Sequence, residues 1–391
     1  MIAFPIRRCI PVVQLVAMLG CSSSETATSP GVIFAASGEV LALTGYTFPP
    51  ASPDDPAFVD GWDIKFDRLL VTVDKITISA NPDKVPGDES QTDGPVAEVD
   101  GPWAVDLHKS DPSNLPGKGG AGEQAVPLTT LDKQNKNGGA PFPADGTRFA
   151  FGFDMVPASA TAQKVNLDSA AEADYAQMVT DQCVVLYVGT ATFKGDASCN
   201  SDPEYANWPT TVDFRFCFKS PTTLVNCQNP DNDPAQAFGE EEHQRGIAFQ
   251  SNKQIVAQVT VHTDHPFWDS VLHDAPAHFD QFAARVVGQT ASPPTVKLED
   301  TVNVDYKAYT DAQGHPLNWR YCIEPPTDVH PKFTGAMAFD PQSIPRATGT
   351  PLDPSTGLRD YYDFATYNQS TQGHLNSDGL CYVKRNYPSP P

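Results

Sequence analysis

Residues 62–78 read Trp62-Asp63-Ile64-Lys65-Phe66-Asp67-Arg68-Leu69-Leu70-Val71-Thr72-Val73-Asp74-Lys75-Ile76-Thr77-Ile78. Apolar and polar side chains alternate from Trp62 to Phe66, which is the period of a half-buried strand. Leu69, Val71 and Val73 continue on the opposite parity, and Ile76 and Ile78 shift it again. Successive strand side chains point to opposite faces, so these shifts predict bulges or twisted, sheet-changing strands. The same period recurs along the chain. Phe149, Phe151 and Phe153 share a face within 147–155, and further strands are expected at 183–193 and along Val212, Phe214, Phe216 and Phe218. Ile255, Ala257, Val259 and Val261 mark another, as do Val296 with Leu298 and Val302 with Val304. The pattern predicts a mainly all-β, β-sandwich-like fold with long loops.

Helical signals are few. Asp168 can cap a helix carrying Ala171, Tyr175 and Met178 on one stripe to about Val179. Asp264 can cap a short helix from about Pro266, and Pro276 can open another running to Val286. The stretch 81–145 is rich in glycine, proline and acids, with Trp103-Ala104-Val105-Asp106-Leu107 as one strand and the remainder loop. Thirty-seven prolines and 27 glycines agree with many turns. The expected organisation is a leader at 1–20, a polar tether at 21–31, an N-terminal β-sandwich-like part at 32–160 and a disulfide-containing β-rich part at 161–391.

The leader has Arg7 and Arg8 before an apolar run, Ile10 to Leu19, too short to span a bilayer. Its end, Ala17-Met18-Leu19-Gly20-Cys21, resembles the lipobox of bacterial lipoproteins, with Met18 where that family usually has leucine. The resemblance implies that Cys21 is the lipidated N-terminus and that Ser22 after it directs the protein to the outer membrane. The polar run Ser22 to Pro30 suits a tether. The strand order across roughly 31–156, opening on Gly38-Glu39-Val40-Leu41-Ala42-Leu43-Thr44, weakly resembles a β-sandwich domain of unknown function in bacterial surface lipoproteins.

Beyond Cys9 and Cys21 the chain has Cys183, Cys199, Cys217, Cys227, Cys322 and Cys381. An even number in an exported chain predicts three disulfides, and no CxxC pair suggests a redox site. Of the 15 pairings left open, the turn-rich loops that they close favour Cys183 with Cys199, Cys217 with Cys227, and Cys322 with Cys381. The formal charge of −22 repels phosphate backbones, so nucleic acid is not expected as a partner; the membrane is, through the anchor.

One segment carries chemistry. In Val261-His262-Thr263-Asp264-His265-Pro266-Phe267-Trp268-Asp269 and His273-Asp274-Ala275-Pro276-Ala277-His278-Phe279-Asp280, four of the nine histidines fall within 17 residues. His262, His265, His273 and His278, with Asp264, make a candidate site for zinc, copper or iron, since neutral imidazoles suit borderline metals and carboxylates ligate or orient them. Glu240, Glu241, Glu242 and His243 lie upstream as further donors. Against this, Asp264 and Asp274 can serve as helix caps, and HExxH is absent. Asp231 to Glu242 fails as an EF-hand because Gln236 occupies the glycine position. No GxSxG, GxxxxGK[ST] or GxGxxG motif supports a common hydrolase, nucleotidase or dinucleotide chemistry. The expectation is a lipid-anchored binding or structural protein of the bacterial cell envelope. The alternatives are a metal-dependent enzyme using the same histidines, or an adhesion or carbohydrate-binding protein using Trp62, Trp103, Trp208, Trp268 or Trp319 as a stacking platform.

Overall fold

The stretch at 62–78 becomes one strand, Trp62–Ala80, that is irregular where its pattern breaks. Opposite Val185–Phe193, consecutive Val188 and Gly189 face Arg68 and Phe66, so Asp67 is the extra residue between the two parities. A Cβ at Gly189 would collide with the Lys65 carbonyl, so the bulge requires glycine there. Opposite Arg148–Met155 the register jumps between Asp74 and Thr77, with Lys75 at φ 45°. Both shifts in the apolar pattern are therefore irregularities in a single strand.

The computed structural model describes residues 28–196, 199, 203–325, 332–339 and 358–385. The leader, Cys21 and the tether up to residue 27 lie outside the described residues. The long strand lies inside an 11-stranded sheet whose main order is Thr295–Lys297, Thr211–Phe218, Val185–Phe193, Trp62–Ala80, Arg148–Met155, Thr222–Val225 and Tyr382–Arg385. A five-stranded sheet runs Gly373–Leu375, Ile255–Val261, Val32–Ser37, Gln124–Leu131 and Leu115–Pro116. Each sheet takes strands from both sides of residue 160, so the expected division at 160 does not separate the sheets. A shared apolar core holds Phe34 of the smaller sheet 6.1 Å from Phe151 of the larger, ring centre to ring centre. The protein is mainly all-β with few short helices.

The helix Ser169–Asp181 forms as expected, Asp168 accepting from the Ala170 and Ala171 amides. Its Ala171, Tyr175 and Met178 pack on the outer face of the large sheet against Leu70 and Leu186, which is why the middle of the long strand is buried on both faces. Other local expectations are corrected. The segment after Gly38 is the helix Glu39–Thr44, and the opening strand is Val32–Ser37. The 81–145 stretch contains the additional strands Pro95–Val99 and Gln124–Leu131. Val302 and Val304 lie in no strand, and Leu298 begins a 3-10 turn.

All six downstream cysteines are paired, but the proposed partners are wrong in every case. The bridges are Cys183–Cys217, Cys199–Cys322 and Cys227–Cys381, closing 34, 123 and 154 residues. Cys183 and Cys217 lie at the ends of paired strands, where Leu186 is the register partner of Cys217. Sheet register thus overrides the turn-rich loops that favoured the other pairings. The Cys227–Cys381 bridge ties down the segment that brings Gly373–Leu375 beside Ile255–Val261.

Candidate metal centre

The antiparallel pairing that sets Thr260 opposite His374 also carries the His262 amide to the Gln372 carbonyl at 2.9 Å. His262 and His374 are thus diagonal neighbours on one face, and their rings lie 4.2 Å apart. The chain then turns through the 3-10 segment His265–Phe267. Asp264 precedes it without the side-chain cap expected of it, its carboxylate interacting instead with Trp268 and His262. His265 lies 5.4 Å from His262 and 5.5 Å from His374, and His273 lies 5.8 Å from His374, all between ring centres.

Four imidazoles therefore converge, three of those expected and one not. His374 is more than a hundred residues from the others and has no local motif; only the pairing of the last strands brings it in. No local signal in the sequence marks it, because its neighbours reach it by strand pairing. Donor atoms of His262, Asp264 and His265 lie within 4.8 Å of one another, and Glu39, His262 and Asp378 make a second such group sharing His262. The chain thus has His/Asp/Glu groups whose donor spacing suits a metal ion.

His265 is buried, with Nδ1 2.7 Å from Thr371 Oγ1 and Nε2 without a hydrogen-bond partner. His374 is also buried, its Nδ1 unpartnered. Burial, reinforced by the neighbouring imidazoles, holds both rings well below the usual histidine pKa. They are neutral at physiological pH, the state that ligates metal. His262 is oriented by Ser377 O, 3.2 Å from Nε2, and by Glu39, 3.6 Å from Nδ1. His273 is half-buried beside Asp274 at 3.2 Å, and that carboxylate raises its pKa. Burial raises the Asp264 carboxyl, which His262 partly counteracts.

His278 does not join this centre. Its amide donates to Phe267 O, and its ring is wedged between Trp319 and Tyr321 at 5.0 and 5.1 Å. Nε2 faces Asp269 at 3.4 Å and Nδ1 faces Asp60 at 3.9 Å, all three side chains being buried. Burial works against the imidazolium, but Asp269, Asp60 and Asp280 outweigh it and raise the His278 pKa. Asp60 is pushed up to about 7 by burial and the Asp280 carboxylate, although it accepts the Phe279 and Asp280 amides at 2.6 and 2.8 Å. Asp280 accepts from Trp62 Nε1 at 2.8 Å and pairs with Arg320, whose guanidinium lies over the rings of Phe193 and Tyr205. His278 thus belongs to a buried charge network that fastens the segment after Ala277 to the long strand.

The other donors considered fare differently. Glu241 is engaged by the buried Arg245 at 3.1 Å. Trp62, Trp103, Trp208 and Trp268 are buried, so they offer no exposed platform for a sugar. No protein-family model matches the chain, and neither a curated protein nor a solved structure matches it significantly.

Proposed function

We propose that this chain is a lipid-anchored protein of the bacterial cell envelope that binds a transition metal at the centre formed by His262, Asp264, His265 and His374, with His273 at its edge. The observation that carries the metal assignment is the buried, unpartnered Nε2 of a neutral His265 within a group of converging imidazoles. A dry nitrogen lone pair left without a partner is costly, and a metal ion relieves that cost. Nitrogen donors with one carboxylate suit zinc, copper or iron better than calcium. Three disulfides and the leader resembling a lipobox support export, with Cys21 as the attachment point.

Equilibrium dialysis of the purified, untagged protein against zinc, copper and iron tests the metal assignment. One tightly held equivalent is expected. Structural zinc sites are worth about 10–16 kcal/mol over four ligands, so each lost imidazole weakens binding about a hundredfold. His265→Ala/His374→Ala should therefore abolish retention at micromolar metal, while His278→Gln should keep it. Retention by the first variant, or no binding by the native protein, sinks the assignment.

A further inference from the structure

His265, His273 and His374 also form one wall of a cavity of about 340 Å³. Trp268, Val271, Leu380, Tyr382 and Val383 form much of the remainder, and Glu89 is the acid among the lining residues. Small-molecule sites share this character: a few hundred cubic ångströms, largely apolar, with a few polar groups fixing orientation. Among the described residues, no lysine or arginine lines the cavity to neutralise a phosphate or a carboxylate. A borderline metal that imidazoles already hold accepts a further nitrogen donor of the same kind.

We infer that the cavity receives a small neutral molecule with an apolar or aromatic body and a nitrogen-heterocycle donor, which ligates the metal from the cavity side. This inference rests on the metal reading above and adds its open coordination position and its ligand class. His265 and His374, common to the centre and the cavity, present the metal to it, and the hydrocarbon and aromatic wall accepts the body of the ligand. An open position beside a cleft also distinguishes this centre from a closed structural site, in which protein fills every position.

The test loads the full protein with cobalt(II) and titrates it with 4-phenylimidazole, imidazole and inorganic phosphate, following the visible absorption of the metal. The phenyl ring gains burial, so 4-phenylimidazole should bind about tenfold or more tightly than imidazole, and phosphate should leave the spectrum unchanged. Leu380→Trp fills the cavity and should remove that preference without changing cobalt binding; Val271→Phe does the same from a half-buried loop position should the first variant not fold. Equal affinities for the two heterocycles, a preference that survives the filled cavity, or a stronger response to phosphate overturns the cavity inference while the metal assignment stands. Failure to bind cobalt overturns the metal assignment itself.

Discussion

The Cys227–Cys381 bridge supports both the fold and the candidate metal centre, and its removal should perturb both. With Cys199–Cys322 intact, the shorter route between Cys227 and Cys381 passes through that bridge and spans about 87 residues instead of 154. Loop-closure entropy for that length is worth about 4–5 kcal/mol. Spread over the entropy of unfolding a chain of this size, the loss lowers Tm by about 5–6 °C. Cys381 follows the Gly373–Leu375 strand, so the Cys227→Ser/Cys381→Ser variant should also loosen His374 and weaken metal binding. Cys183→Ser/Cys217→Ser is the internal control. Its 34-residue loop is worth about 3.5–4 kcal/mol, and it packs in the cluster beneath the Ser169–Asp181 helix, which contains none of the histidines. Calorimetry and urea unfolding under non-reducing conditions, with and without metal, measure both effects. A Cys227→Ser/Cys381→Ser protein within about 1 kcal/mol of the parent, or one whose metal affinity falls no more than the control's, would refute the reasoning.

Three further outcomes are expected. Arg320→Met leaves the buried Asp280 carboxylate without its cation and should cost about 3–5 kcal/mol in a urea titration; a loss under about 1 kcal/mol would show that the pair is dispensable. His278 and Asp60 both hold protons in the folded state that the unfolded chain has released, so their contribution to stability falls as pH rises, for Asp60 between 3.8 and about 7 and for His278 above 6.5. Urea midpoints at pH 6 and pH 8.5 should therefore differ less in His278→Gln than in the parent, and an unchanged difference would remove His278 from the pH response. Cys21→Ala should release the protein from membranes or block its processing, and unchanged membrane fractionation with unchanged lipid labelling would defeat the lipid anchor.

Much of the fold was legible locally. The parity changes after Phe66 and after Val73 marked the two irregularities of the long strand, because side-chain alternation allows no other way to keep both halves buried. Asp168 marked its helix because a cap acts within three residues. What escaped depends on distant pairing. Gln124–Leu131 becomes a strand by joining Val32–Ser37, despite Pro127 and a sequence that reads as loop. Two of the disulfides follow strand pairing, one of them over 154 residues, where the turn-rich loops between neighbouring cysteines mislead. At the candidate centre His262, His265 and Asp264 were readable as a group because a strand end and a tight turn keep them together. His374 enters through the last strand of the small sheet, and His278 leaves because Asp60 and Asp269, one distant and one local, hold its ring elsewhere.

The most direct measurement of the central claim is X-ray absorption at the metal edge of the zinc-loaded protein. Two to four imidazole ligands should appear, with nitrogen and oxygen at about 2.0–2.2 Å, no sulfur at about 2.3 Å, and a lower imidazole count in His265→Ala. A sulfur shell, a shell of oxygen alone, or an imidazole count unchanged in His265→Ala but lowered in His278→Gln would contradict it.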